Sequence, residues 1–169
     1  SKHRHFNKIF TWNDALVDGK NYLKLNYAFK LPGAICKDAI RENFCCLIVS
    51  NKSSNLPNEL YSERKRLIRW FEVEHPTQFS LYGIGWDDYK FKGPKLWRAL
   101  NALPLCKRLA YLLIGDKYPS YRGTVESKAK TMESYRFAIA FENVKDELGY
   151  ITEKKFDVLI AGCVPIYWG

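Results

Sequence analysis

The sequence predicts an α/β fold built on a parallel sheet, and three observations carry that prediction. Phe44-Cys45-Cys46-Leu47-Ile48-Val49, Phe137-Ala138-Ile139-Ala140-Phe141 and Val164-Pro165-Ile166-Tyr167-Trp168 are apolar runs of strand length, as in strands buried on both faces. Helical spacing fills stretches between them: Leu60, Leu67, Ile68 and Phe71 form one stripe, and Phe156, Leu159, Ile160 and Cys163 another. Polar loops, Ser50–Asn55 and Glu142–Thr152, follow two of the runs. Strands alternating with helices imply βαβ units and a sheet covered on both faces. Ligands bind such sheets beyond the carboxyl ends of the strands, so these two loops are the expected place for chemistry.

The elements follow in order. Residues 6–12 read as a short strand, residues 13–20 as a polar turn, and residues 21–42 as irregular chain broken at Pro32-Gly33. After the strand at 44–49, Pro57 opens a helix that runs to about His75-Pro76. Phe79–Gly83 is a second short strand. Leu96, Trp97, Leu100 and Leu103 have helical spacing, interrupted by Pro104 before a further apolar stretch at 105–114, and the adjacent Asp87-Asp88 belong to a loop. A helix near 125–134 leads into the strand at 137–141. The loop at 143–150 follows, then a helix from Thr152 and the strand at 164–168.

Composition bounds the partner. Lys and Arg number 27 against 18 Asp and Glu, a net charge of +9, which favours nucleic acid, an acidic membrane surface or a phosphorylated small molecule. The five cysteines (Cys36, Cys45, Cys46, Cys106, Cys163) cannot pair completely and show no metal-ligand spacing, which points to reduced thiols. No stretch approaches the roughly 20 apolar residues of a membrane span. Ser1 and Gly169 both read as cut ends, so a longer parent protein is expected.

Two groups of residues stand out chemically. Arg64 falls on the apolar stripe of its helix, where a guanidinium needs an anionic or carbonyl partner. A buried ion pair and a bound phosphate fit that position equally. Lys65, Arg66 and Arg69 of the same helix read as a solvated face. Thr152 reads as an N-cap, which puts Glu153 and Lys154 in a first helical turn, where free backbone N–H groups and a lysine can hold phosphate. Glu153 can accept hydrogen bonds from sugar hydroxyls.

Three blocks then resemble a known family. Tyr135-Arg136-Phe137-Ala138-Ile139-Ala140-Phe141-Glu142-Asn143, Tyr150-Ile151-Thr152-Glu153-Lys154 and Gly162-Cys163-Val164-Pro165-Ile166 are similar, in order, to the signature of α-1,3/1,4-fucosyltransferases, glycosyltransferase family 10. Leu47-Ile48-Val49-Ser50-Asn51 followed by Arg64 resembles the family's strand, loop and arginine-bearing helix, and the Pro-Ile-Tyr-Trp-Gly ending resembles bacterial members. The resemblance implies a GT-B enzyme, with residues 1–42 a remnant of the acceptor domain and its linker. Residues 43–169 would be the Rossmann-like GDP-fucose-binding domain, truncated at its C-terminus. Fucose would pass with inversion from GDP-fucose to an oligosaccharide acceptor. By the same resemblance Arg64 and Lys154 would neutralise the diphosphate and Glu153 would contact ribose or fucose. Asn143 and Tyr150 would line the donor pocket. No metal or cofactor is implied. The family's base is a glutamate of the acceptor domain, which no residue here matches, so this chain alone is expected to bind donor without useful transfer. The bacterial-like ending and reduced cysteines imply cytoplasm, with peripheral membrane contact allowed; an animal enzyme would be Golgi-lumenal.

Other readings stay open. Lys90, Lys92, Lys95, Arg98, Lys107 and Arg108 alternate with Tyr89, Phe91, Trp97 and Tyr111, as a nucleic-acid-binding module or a patch on anionic lipid requires. The family resemblance disfavours nucleic acid. A nucleotide-sugar transferase with a different donor is the remaining alternative.

Overall fold

The apolar runs pair with one another, because strands whose side chains are apolar on both sides can bury both only inside a sheet. The computed structural model describes residues 2–26 and 40–169; Pro32-Gly33 and Cys36 lie outside them. Four strands, β3 (Asn43–Ile48), β4 (Phe79–Tyr82), β5 (Tyr135–Phe141) and β6 (Val164–Trp168), form a wholly parallel sheet in the order β4-β3-β5-β6. Alternate residues feed two cores. Cys45, Leu47, Ile139 and Phe141 point to one face with Leu60 and with Ile68 and Phe71 of α1 (Tyr61–Glu74). Cys46, Ala138 and Ala140 point to the other, against Met132 of α4 (Lys128–Met132) and Val158 of α5 (Lys154–Ile160). The fold is Rossmann-like α/β with both faces of the sheet covered, as the continuous runs predicted.

Two further strands, β1 (Ile9–Thr11) and β2 (Tyr22–Lys24), make a separate parallel pair. β2 falls in chain that the sequence left irregular; three residues are too few for a period to show. The Asp18 carboxylate accepts the backbone N–H groups of Lys20, Asn21 and Tyr22 in the turn before it. Those bonds, the Tyr22 amide foremost, hold its carboxyl below the usual range.

Several element boundaries differ from the sequence reading. α1 starts at Tyr61, not Pro57, because residues 58–60 bond elsewhere. Leu60 donates to the Asn143 carbonyl at 2.9 Å, Lys145 donates to the Asn58 carbonyl at 2.9 Å, and Asn58 has a left-handed φ of 62°. Glu59 instead caps the helix by accepting from the amides of Tyr61 and Ser62. The helix expected near 125–134 is confined to α4, capped by the Ser127 hydroxyl. Pro104 proves to be the first residue of α3 (Pro104–Ile114), which follows the short α2 (Lys95–Ala99).

α5 is the largest departure. It ends at Ile160, and Gly162 turns the chain with φ 75°. The expected stripe counted through that turn, so Leu159 is 45% exposed while Val158 and Ala161 reach the core with Cys163. Cys45, Cys46, Cys106 and Cys163 are free thiols. Among the described residues no helix is long and apolar enough to cross a membrane.

Candidate functional site

The strand order creates the site. From β3 the chain winds outward through α1 to β4, then crosses back to β5 and winds the other way through α5 to β6. Chains leaving β3 and β5 therefore diverge, and a crevice opens beyond their carboxyl ends. A cavity of about 530 Å³ occupies it, within the size range of small-molecule sites. Ser50 marks the end of β3, Phe141 and Asn143 the end of β5, Arg64 the start of α1, and Glu153 and Lys154 the start of α5.

Arg64 enters because a buried stripe leaves it no route to water; it is 4% exposed. Its Nη2 donates to the carbonyls of Phe141 at 2.7 Å and Glu142 at 2.6 Å, and to Asn143 Oδ1 at 3.2 Å. The guanidinium also lies 5.0 Å from the Tyr61 ring centre. The sequence reading left a buried ion pair and a bound phosphate open; the partners found among the described residues are carbonyl and amide oxygens, with no carboxylate in a salt bridge to Arg64. Arg64 welds the end of β5 to α1, and one nitrogen, Nε, is buried without a hydrogen-bond partner among the described residues. Burial lowers its pKa from the ordinary arginine value, yet a guanidinium remains charged.

Glu142 is the residue that sequence reasoning passed over. It has no exposed surface, although it directly follows a buried strand. Its Oε1 accepts the Thr152 amide at 2.8 Å, and its Oε2 accepts the Thr152 hydroxyl at 2.6 Å and Lys154 Nζ at 3.0 Å. Lys154 Nζ also donates to Thr152 Oγ1 at 2.8 Å. The available signal was a lone carboxylate abutting an apolar run, which in a buried place demands a cation and donors.

Those bonds correct the reading of Thr152. It is not the N-cap of α5; its hydroxyl is committed to Glu142, and Glu153 occupies the cap position with helical φ and ψ. Asn143 lies on the cavity wall, and its amide nitrogen donates to the Tyr150 hydroxyl at 3.3 Å. Tyr150 stands behind Asn143 rather than on that wall, with its ring 4.8 Å from Trp12. Gly149 beside it has φ 82°, and a Cβ there would strike the Trp12 carbonyl, so the β1–β2 unit rests directly on this loop.

The cavity mixes charges. Lys52 and Lys128 join Arg64 and Lys154, while Glu126, Glu153 and Asp157 supply carboxylates. Burial raises the Asp157 carboxyl above its usual range, opposed by the nearby Lys128. Cations and acceptors sharing one crevice suit a ligand with both an anionic group and several hydroxyl or N–H donors. Among the described residues no group of three His, Cys, Asp or Glu gathers as metal ligands.

Two of the expected surface cations are not merely solvated. Arg69 bonds Glu72 and the Lys117 carbonyl and lies 3.8 Å from the Tyr118 ring centre, pinning the 117–120 segment to α1. Lys65 is half-buried, and burial, then the charge of Lys92, depresses its pKa. Arg66 alone matches the reading, 77% exposed beside Glu63.

Known proteins are similar to this sequence. An alpha-(1,3)-fucosyltransferase of Helicobacter pylori is 40% identical over 121 residues, which cover 66% of this chain and 25% of that protein. A fucosyltransferase-like protein of Arabidopsis thaliana is 45% identical over 42 residues, 25% of this chain and 8% of its own length. The chain thus spans about a quarter or less of these relatives. The profile of the family's C-terminal region matches residues 39–169, the whole of the sheet and its crevice. The chain belongs to glycosyltransferase family 10, the fucosyltransferases.

Proposed function

We propose that this chain carries the GDP-fucose site of an inverting α-1,3/1,4-fucosyltransferase, with residues 43–169 as the donor-binding unit. The observation that carries the reading is the convergence of Arg64, Asn143, Glu153 and Lys154 on one crevice at the switch point of the sheet. Lys154 is the direct contact for the diphosphate, because its ammonium retains access to the cavity. Arg64 acts from beneath, its charge fixed by three oxygen acceptors and so already oriented when an anion arrives. Glu153 accepts from sugar hydroxyls, and Asn143, braced by Tyr150, lines the donor. An oligosaccharide hydroxyl is the acceptor, and its base lies outside the matched residues. Leaving-group stabilisation by fixed cations makes a metal unnecessary in this scheme.

A thermal-shift comparison of GDP, UDP and CMP tests the donor. GDP should raise the melting temperature most, since a ligand at a hundredfold excess over its Kd stabilises by about 2.7 kcal/mol. Equal shifts from all three would reduce the site to generic phosphate binding.

A further inference from the structure

The arm between β4 and the Tyr118–Tyr121 return carries an apolar surface that no described residue covers. α3 has 11 residues, none of them buried. Leu105, Leu109, Leu112 and Leu113 are 69%, 51%, 54% and 82% exposed, and their i, i+4, i+7, i+8 spacing aligns them on one stripe. Tyr111, on the opposite side, is half-buried, as are Cys106 and Ala110 at the edge of the stripe. Lys107, on that inner side, is held by Asp88. The helix is thus fastened with its apolar stripe outward, the reverse of a surface helix serving a core. On α2, Leu96 and Trp97 are also exposed.

Charge identifies what covers the stripe. Residues 89–115 contain Lys90, Lys92, Lys95, Arg98, Lys107 and Arg108 and no Asp or Glu. Among the described residues only Lys107 of these forms an ion pair. Leucines and a tryptophan flanked by unpaired cations are the composition of a helix lying in the plane of a bilayer interface. A second copy would set these cations against one another on chains of net charge +9. A polynucleotide would engage the cations and leave the leucines in water. We infer that α2 and α3 form a peripheral anchor for anionic phospholipid, with the leucine stripe inserted and Lys95, Arg98 and Arg108 at the headgroups.

Vesicle co-sedimentation of the whole chain tests this, with phosphatidylcholine vesicles lacking or containing phosphatidylglycerol. Binding should require the anionic lipid and blue-shift tryptophan emission, a shift that Trp97→Phe removes. Leu109→Ser with Leu113→Ser should lower vesicle affinity at least about tenfold with unchanged circular dichroism, because both side chains are already exposed. Arg98→Gln with Arg108→Gln should lower it about fivefold per cation. Equal binding to neutral vesicles, or no loss on serine substitution, overturns the inference. So would heparin or DNA retention indifferent to the leucines without vesicle binding, or a dimer that the serine pair abolishes without vesicle binding.

Discussion

The Glu142 carboxylate, with no exposed surface, lies 3.0 Å from the Lys154 ammonium and also holds the amide and hydroxyl of Thr152. One buried anion therefore fixes both the end of β5 and the start of α5, and it sets the resting place of the cation proposed to meet the diphosphate. Glu142→Ala should cost about 2–4 kcal/mol, because it strands buried donors and a partly buried charge. Glu142→Gln keeps an acceptor and should cost less. Urea unfolding measures both, and an Ala variant within about 0.5 kcal/mol of wild type would contradict the arrangement.

Arg64 and Lys154 should separate in their effects. Lys154→Ala should weaken GDP binding about tenfold or more while leaving guanosine nearly unchanged, since a charge-assisted contact is lost. Arg64→Lys should lower stability as well as GDP affinity, because one ammonium cannot span the Phe141, Glu142 and Asn143 oxygens in guanidinium geometry. Arg66→Ala is the control, exposed and, among the described residues, paired with Glu63. Calorimetric titration that finds Arg66→Ala as harmful as Lys154→Ala would assign the effect to long-range charge.

Gly83 leaves β4 with φ 128°, and a Cβ there would fall on the Val49 carbonyl oxygen beside the cavity. Gly83→Ala should therefore destabilise by more than about 1 kcal/mol and disturb the crevice together with the fold. Gly123→Ala, also at positive φ but with open space around it, isolates the backbone strain. Matching urea midpoints for the two variants would show that the Val49 contact is relieved at no cost.

Alkali should weaken the fold through its buried thiols. Burial pushes Cys45 up to about 12 from an ordinary value of 9.0, and Cys46 and Tyr135 are raised as well, burial again being the main cause. Above pH 9 the unfolded chain loses the Cys45 proton while the folded chain keeps it. The Cys45 contribution is thus fully present below pH 9 and is lost between 9 and 12, by up to about 1.4 kcal/mol per pH unit. Urea midpoints at increasing pH should decline in that window, and Cys45→Ala should flatten the decline. An unchanged slope would remove Cys45 from the account.

The strands and the α1 stripe were legible because burial on one or two faces imposes a local period, and β3, β5, β6 and the Leu60–Phe71 face are long enough to display it. The site blocks were legible as a family resemblance, and the profile match to residues 39–169 bears out that family. α5 was misread for the matching reason: seven residues hold two turns, and a stripe counted past Gly162 picked the wrong face. β1 falls within the strand read at 6–12, whereas β2, three residues in chain read as irregular, was too short to show any period.

Composition and pattern thus decided that the chain builds a parallel α/β sheet and that Arg64 must be buried with a partner. The order β4-β3-β5-β6, and hence the crevice, arose only from pairing between distant segments. So did the use of Arg64 on backbone carbonyls and the capture of Thr152 and Lys154 by Glu142. Those contacts join residues 77, 78, 10 and 12 positions apart. Local periodicity reports which side of an element is dry, whereas the partner of a buried charge is fixed by whichever elements fold against it.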